Sequence, residues 1–196
     1  MEEKDNLVIR RARRDVGDAA HVVRCLLMGI GVWNDEPTED NVRDMAEAER
    51  MFMMDDTLYS YRNTLIAEVD GERAGAMIAY DGSRYVDMRA KTFPHLSFFR
   101  GQNMDSITPE TGEGEYYFDT LAFMPQFRGR GFGRKLFEFA LDDMRSHHPT
   151  LTGTLLVDPN NAQALALYTS LGFRHSGEVF VFGQMFRKMA LSRGAR

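Results

Sequence analysis

Residues 123–135 read Phe-Met-Pro-Gln-Phe-Arg-Gly-Arg-Gly-Phe-Gly-Arg-Lys. A β-like run at 116–124 leads into this stretch, and a helix-like run at 135–144 follows it. Glycines, which place no Cβ between the backbone and a ligand, stand at positions 129, 131 and 133. Amide N–H groups in such a turn, together with the first N–H groups of the following helix, form an anion site. The stretch therefore predicts an anion-binding loop.

Positive charge is concentrated in the same loop. The basic side chains are Arg128, Arg130, Arg134 and Lys135, and the first acid after them is Glu138. The simplest ligand is a pyrophosphate. A Walker A loop does not fit, because Gly133 is followed by Arg-Lys-Leu instead of Lys-Ser/Thr. A dinucleotide fingerprint does not fit either, because the glycine spacing departs from G-x-G-x-x-G.

Two sequence blocks carry a resemblance to a known family. Arg128, Gly131 and Gly133 form the pattern Arg-x-x-Gly-x-Gly, which resembles the acetyl-coenzyme A loop of the GNAT superfamily of N-acetyltransferases. The segment Asn161-Ala-Gln-Ala-Leu-Ala-Leu-Tyr168, followed by Leu-Gly-Phe at 171–173, is similar to that superfamily's Asn-x-x-Ala-x-x-Leu-Tyr…Gly-Phe segment. The two blocks stand in the family's order and at its usual spacing. The resemblance implies acetyl-CoA as co-substrate.

The resemblance also implies which residues bind acetyl-CoA. The pantetheine arm is expected to lie along the strand residues Leu121, Ala122 and Phe123. The pyrophosphate is expected at the amide groups of Phe127, Arg128, Gly129, Arg130, Gly131, Phe132, Gly133 and Arg134. In the second block, Asn161 is expected to contact the cofactor arm, with Ala164 in the same motif; Asn161 serving only as a helix cap is the alternative. Pro125 donates no ladder hydrogen bond and favours a strand that splays from its neighbour.

The catalytic candidates are Tyr168 and Asp119. Tyr168 falls at the position of the family's usual general acid, and a phenol with a pKa near 10 stays protonated at neutral pH; the alternative is a ring that only packs on the sheet. Asp119 stands among apolar strand residues, where a raised pKa suits a base. The alternative for Asp119 is a carboxylate that accepts backbone hydrogen bonds and orders the sheet. Glu115, Glu68 and Glu178 are further candidates for the base.

The predicted element order is β-α-α-β-β-β-α-β-α-β-β. Strands are predicted at 7–9, 64–69, 74–80, 115–124, 152–157, 178–182 and 184–190, and helices from Asp15 or Asp18 to about 28, from Thr38 to about 54, at 135–144 and at 161–170. This order resembles the GNAT fold, an α/β (α+β type) architecture with a mixed, mostly antiparallel sheet of six to seven strands and helices on both faces. Strict alternation along the fourth strand would place Glu115, Tyr117, Asp119, Leu121 and Phe123 on one face.

One domain is expected over residues 1–196, with an irregular insertion at about 81–113. The insertion is rich in aromatic residues, proline and glycine. It is interpreted as a substrate flap, or as a segment packed on the surface or on a partner subunit. Packing on a partner subunit would make the protein a homodimer.

Composition excludes several classes of function. The net charge of −5 argues against nucleic acid as the main partner, and no run approaches the length of a membrane span. Cys25 is the single cysteine, so it is expected to be a reduced, buried thiol. The five histidines show no metal-ligand spacing, and no metal is expected. These features favour a cytoplasmic protein.

The expected function is acetyl-CoA-dependent transfer of an acetyl group to the primary amine of a small molecule. Acetylation of a protein N-terminus or lysine is the alternative within the same chemistry. A non-catalytic acyl-CoA-binding module is the alternative from a different class, and the presence of Tyr168 argues against it.

Overall fold

The computed structural model describes residues 5–31 and 39–191, and its strands form one seven-stranded sheet. The strands are β1 (Leu7–Arg11), β2 (Thr64–Val69), β3 (Glu72–Asp81), β4 (Glu115–Phe123), β5 (Thr152–Val157), β6 (Phe173–Val181) and β7 (Gln184–Leu191). Their order in the sheet is β1-β2-β3-β4-β5-β7-β6. Neighbouring strands are antiparallel except β4 and β5, which are parallel. The predicted mixed, mostly antiparallel sheet is confirmed.

In the described residues, five α-helices accompany the sheet: α1 (Val16–Gly29), α2 (Glu39–Phe52), α3 (Tyr85–Ala90), α4 (Phe132–His147) and α5 (Ala162–Ser170). Asp15 caps α1, because its side chain accepts a hydrogen bond from the backbone N–H of Asp18 at 2.9 Å. The predicted cap at Thr38 lies outside the described residues. The buried side chains of α4 recur at helical spacing, at Leu136, Phe137, Ala140, Leu141 and Met144.

Two hydrophobic cores cover the two faces of the sheet. On the face that we name the α1 face, α1 and α2 pack against strand residues such as Ile78 and Tyr117. On the opposite face, the α4 face, α4 packs against residues such as Met77 and Phe118. Cys25 is buried in α1, as expected, and burial raises the pKa of its thiol to about 12.

Strands β4 and β5 pair over only three residues and then separate. Glu115, Tyr116 and Tyr117 are opposite residues 152–154, whereas the rest of β4 pairs with β3 alone. The last three residues of β5 pair with β7 and not with β4. We name the opening between residues 118–123 and 155–157 the β4–β5 gap. The backbone groups that face the gap from β4 and β5 pair with none of the described strands.

The prediction that β4 alternates without interruption is wrong. The register against β3 shifts between Ile78 and Ala79, which leaves Asp119 as an extra residue in a β-bulge of β4. As a result, Tyr117 belongs to the core of the α1 face, whereas Leu121 and Phe123 pack with the core of the α4 face.

Helix α4, strand β6 and the connection between β3 and β4 also differ from the prediction. Helix α4 begins at Phe132 instead of 135, since Gly131 is its N-cap and Gly133 lies in its first turn. Strand β6 begins at Phe173 instead of 178. Its first residues were missed because they are mostly exposed and polar, as in an edge strand, and show no apolar pattern. The segment 82–113, named here the β3–β4 segment, contains α3 and short 3-10 turns at Gly82–Arg84, Phe93–His95, Ser97–Phe99 and Met104–Ser106.

Candidate active site

The glycine loop between β4 and α4 presents a row of free amide groups. Gly129 and Gly131 adopt φ angles of 75° and 79°, the left-handed region that favours glycine. Gly131 caps α4 without a side-chain hydrogen bond. The backbone N–H groups from Gly129 to Arg134 donate to no other group of residues 5–31 and 39–191. Six consecutive free donors at a helix N-terminus are an arrangement that suits an anion.

The basic side chains of the loop are largely engaged by the protein. The Arg128 Nε donates to the carbonyl oxygen of Phe123 at 2.8 Å. Arg130 is paired with Asp5, and Arg134 is bonded to Glu138 at 3.1 Å and to Ser170. The backbone donors are thus the groups of the loop that the protein leaves free, and the arginines add positive charge around them.

The backbone of β4 faces the gap at alternate residues. The N–H of Met124 donates to the carbonyl of Ala74 in the β3 direction at 2.9 Å. Because strand hydrogen bonds alternate in direction, Ala122 also faces β3, whereas Leu121 and Phe123 face the β4–β5 gap. Of the three residues expected along the pantetheine arm, Leu121 therefore has its backbone open to a strand-like ligand. Phe123 has only its N–H open, because its carbonyl oxygen accepts a hydrogen bond from Arg128. The backbone of Ala122 is not open to the gap.

The second sequence block forms α5 beside the same gap. The Asn161 Oδ1 accepts a hydrogen bond from the N–H of Ala164 at 3.0 Å, so Asn161 is the N-cap of α5. This is the capping alternative considered from the sequence, and it leaves the amide NH₂ of Asn161 facing outward. Ala164 is half-buried against the core of the α4 face.

Tyr168 lies on α5 with its ring against the α4 face. Its ring centroid is 5.5 Å from that of Phe137 and 6.2 Å from that of Phe173. Its hydroxyl makes no hydrogen bond with the described residues, and the residue is half-buried. Burial raises the pKa of Tyr168 to about 12, so the phenol is protonated at neutral pH and has a proton to donate.

Asp119 lies in the bulge and is held by hydroxyl groups. The Tyr80 hydroxyl donates to its carboxylate at 2.7 Å, and the Thr120 hydroxyl donates at 3.1 Å. Burial raises the pKa of Asp119, although both hydrogen bonds oppose the rise. Among the described residues, no backbone N–H donates to this carboxylate. The geometry therefore does not support the alternative in which Asp119 only accepts backbone hydrogen bonds.

A second carboxylate, which the sequence did not single out, lies near Asp119. Glu110 of the β3–β4 segment accepts hydrogen bonds from the hydroxyls of Tyr85 at 2.9 Å and Tyr117 at 2.8 Å. Burial and the negative charge of Asp119 raise the pKa of Glu110 to about 7. We name the group around these two carboxylates the acidic recess; it comprises Tyr80, Tyr85, Glu110, Tyr117 and Asp119.

The other candidate bases are placed elsewhere. Glu115 is paired with Lys188 at 2.7 Å, and Glu68 is paired with Arg10 at 2.6 Å. Glu178 is exposed on β6, opposite Arg187 of β7. An ion-paired carboxylate is a poor base, since the partner stabilises its ionised form.

Within 5–31 and 39–191, no group of three or more histidine, cysteine or carboxylate side chains is placed to hold a metal ion. None of the described helices is long and apolar enough to cross a membrane.

Comparison with known proteins places the chain in a family. The model of the acetyltransferase (GNAT) family matches residues 30–173. A curated relative, the ribosomal protein bS18-alanine N-acetyltransferase of Salmonella typhimurium LT2, is 32% identical over 95 residues. That match covers 48% of this chain and 59% of the relative, so the chain spans less than two thirds of the relative's length.

Solved structures share the fold. An N-acetyltransferase from Staphylococcus aureus Mu50 has a TM-score of 0.74 at 23% identity, over 94% of this chain and all of that one (100%). An aminoglycoside acetyltransferase in complex with coenzyme A has a TM-score of 0.62 at 19% identity, over 97% of this chain and 96% of that one. Since the family model covers well over half of the sequence, the chain belongs to the acetyltransferase (GNAT) family.

Proposed function

We propose that the protein transfers the acetyl group of acetyl-CoA to the primary amine of a small molecule. The observation that carries this proposal is the β4–β5 gap lying directly beside the glycine loop. Within the described part of the chain the six N–H groups of the loop have no partner and are free for a pyrophosphate. The gap offers the backbone of Leu121 and the N–H of Phe123 to an extended arm. A ligand with an anionic head and a peptide-like arm matches both features.

Side chains from both faces of the sheet are proposed to border the gap. Tyr168 packs with the α4 face, whereas Asp119 is bonded to Tyr80 of the α1 face. A thioester lying in the gap would have a protonated phenol on one side and a carboxylate on the other. Acyl transfer needs both kinds of group, because one proton must leave the nitrogen and another must reach the sulfur.

The proposed reaction balances with these two residues. Asp119 accepts a proton from the acceptor's ammonium group, which frees the nitrogen lone pair. The nitrogen then bonds to the thioester carbonyl carbon, and the carbon–sulfur bond breaks. Tyr168 donates its hydroxyl proton to the departing thiolate and recovers a proton released from the nitrogen. The products are an N-acetyl amide and coenzyme A, with one proton released to solvent.

Aromatic contacts between the β3–β4 segment and the β6–β7 turn favour a small acceptor. In the β3–β4 segment, the rings of Phe93 and Phe99 stack with centroids 3.9 Å apart. Phe182 of the β6–β7 turn packs edge-on to both, at 5.9 Å and 5.6 Å. Phe182 has a φ of 53°, a conformation that costs about 1 kcal/mol or more for a residue other than glycine. These contacts join the segment to the turn, and the segment is thus proposed to cover the acceptor side.

A protein N-terminus is the second candidate acceptor. The curated relative at 32% identity is named for acetylating the alanine of a ribosomal protein, which favours a peptide acceptor. The covered acceptor side favours a small molecule, because an extended peptide needs an open groove.

Release of coenzyme A thiol tests the proposal. Purified protein is incubated with acetyl-CoA and either a panel of small primary amines or peptides that begin with alanine. We expect thiol release above the hydrolytic background with a small amine and little release with the peptides. Faster release with a peptide would move the function to the second candidate. Tight binding of acetyl-CoA in calorimetry without turnover of any amine would contradict a transferase role.

A further inference from the structure

An open groove lies on the α4 face between α5 and the paired strands β6 and β7. Its apolar surface comes from Leu165 of α5, Phe173 of β6 and Met189 of β7. The groove has a volume of about 440 Å³, which lies within the range of about 300–1,000 Å³ that is typical of small-molecule sites. We name it the α5–β7 groove. A small ligand with an apolar part has room to lie between the helix and the sheet.

The α5–β7 groove lies on a different side of α5 from Tyr168. Ala166 and Thr169 line the groove. Because an α-helix turns by about 100° per residue, these two residues point away from the side of α5 that carries Tyr168. Tyr168 packs instead against Phe137 of α4. The groove is thus separate from the proposed reaction site.

The charged lining of the groove is basic. It carries Arg174, His175 and Arg187 and no aspartate or glutamate. None of the nine residues of α5 is charged either. Glu178 is exposed and stands opposite Arg187 in the strand register, but the two side chains form no ion pair. In a chain with a net charge of −5, the groove is therefore a local positive site.

Arg187 has a free guanidinium, whereas that of Arg174 is engaged. Arg174 donates to the carbonyls of Thr169 at 3.0 Å and Phe173 at 2.9 Å. Arg187 is half-buried on β7, two positions from Met189, so its side chain leaves the sheet on the same face. Across residues 5–31 and 39–191, no group forms a hydrogen bond or an ion pair with Arg187. A half-buried cation gains more from an anion than a fully exposed one does, because water and salt screen the attraction less.

The carbonyl groups at the end of α5 do not supply a partner for Arg187. The carbonyls of Leu167, Tyr168 and Thr169 each accept a backbone N–H at 3.1 Å. The negative end of the α5 dipole is therefore occupied by the protein itself. Arg187 thus remains an unpaired cation beside an apolar surface.

We infer that the α5–β7 groove is a second ligand site, which binds an aliphatic carboxylate through Arg187. A planar guanidinium binds a carboxylate with two parallel hydrogen bonds. The alkyl chain covers Leu165, Phe173 and Met189, and each CH₂ group that leaves water adds to the affinity. Both parts of the ligand are needed, because a bare anion leaves the apolar surface in water and a neutral chain leaves Arg187 unpaired. This site does not depend on the proposed function.

Titration with octanoate tests the inference. Octanoate is added to the protein at neutral pH and followed by NMR, with 1-octanol and inorganic phosphate as probes that each carry one part of the ligand. We expect saturable binding of octanoate, tighter than that of either other probe. Arg187→Gln should weaken it about tenfold or more, because hydrogen bonds to a charged group are lost. Ala166→Glu places a negative charge at an exposed helix position in the groove, so it should fold and weaken octanoate binding by a similar factor.

Two matched controls separate the groove from general effects of charge. Arg24→Gln removes an exposed arginine of α1, and Gln163→Glu adds a negative charge at an exposed position of α5 that does not line the groove. Both variants should keep wild-type affinity for octanoate. Equal affinity of the wild-type and Arg187→Gln proteins, equal affinity for octanoate and either other probe, or no binding of octanoate would overturn the inference.

A competition experiment distinguishes the α5–β7 groove from the β4–β5 gap. Octanoate should bind with the same affinity in the presence and absence of saturating acetyl-CoA, and its NMR shifts should centre on residues 165–175 and 187–189. Displacement of octanoate by acetyl-CoA would place the alkyl chain in the gap and would contradict a second site.

Discussion

Replacement of Gly131 by valine separates cofactor binding from folding. Gly131 has a φ of 79°, and an added Cβ would meet no other atom within 4 Å. A residue with a side chain costs about 1–2 kcal/mol in this backbone conformation. For a chain of this size, such a loss lowers the melting temperature by roughly 2–8 °C. Gly131→Val should therefore fold.

The effect on acetyl-CoA should be much larger. Gly131 stands in the middle of the run of free N–H groups at residues 129–134, and an added Cβ there would stand in open space. A valine side chain there holds a pyrophosphate away from these donors. Loss of two hydrogen bonds to a charged group, at about 1.5–3 kcal/mol each, weakens binding about 100-fold or more.

Calorimetric titration with acetyl-CoA measures this effect. Gly101→Val is the matched control, because Gly101 has a φ of 77° and equally open space but lies in the β3–β4 segment. It should show the same small loss of stability and wild-type affinity for acetyl-CoA. A folded Gly131→Val protein with unchanged affinity would refute the assignment of the loop.

Three further predictions concern catalysis and stability. Tyr168→Phe should keep cofactor affinity and lower kcat by about 100- to 10,000-fold, as measured with an acceptor whose chemistry is rate-limiting, whereas wild-type turnover would leave Tyr168 with a packing role only. Because burial raises the pKa of Asp119, the wild-type rate should fall towards low pH as this group gains a proton. Asp119→Asn should lower the rate and abolish this acidic limb of the pH–rate profile, and an unaltered acidic limb would contradict the role of Asp119 as base. Burial alone would raise the pKa of Asp18, but hydrogen bonds from Arg10, from the backbone N–H of Arg13 and from Arg73 hold it well below its usual range. The network therefore stabilises the fold at pH values above the unfolded-state pKa of about 3.9, and this stabilisation is lost as the pH falls. Urea unfolding from pH 3 to 7 should give Asp18→Asn a lower free energy of unfolding that changes less with pH. A free energy that changes with pH as it does in the wild-type protein would contradict this linkage.

The elements near the glycine loop were predictable because their signals are local. The spacing of Gly129, Gly131 and Gly133 determines how the chain turns, and the strand at 152–157 is bounded as predicted. The bulge at Asp119 was not predictable, because it arises from the register between β3 and β4. That register depends on residues about 40 positions apart, such as Ile78 and Thr120. The bulge is also what sends Leu121 and Asp119 to different faces.

The acidic recess lay beyond sequence reasoning for the same reason. Glu110 stands in a segment without periodicity, and its partners are 25 and 7 residues away along the chain, at Tyr85 and Tyr117. A glutamate among prolines, glycines and threonines reads as an exposed loop residue. Only the packing of the segment against the sheet buries it beside Asp119. The concentration of tyrosines on β3 and β4 was the one signal that pointed towards such a polar cluster.

Hydrogen exchange shows directly which backbone N–H groups acetyl-CoA covers. In the proposed complex, the free N–H groups of residues 129–134 bind the pyrophosphate, and the backbone of Leu121 and Phe123 binds the pantetheine arm. Exchange is followed by mass spectrometry or NMR with and without saturating acetyl-CoA. We predict that exchange slows most at residues 129–134, with a second protected stretch at 121–123. Protection at other residues, with these two stretches unchanged, would contradict this arrangement.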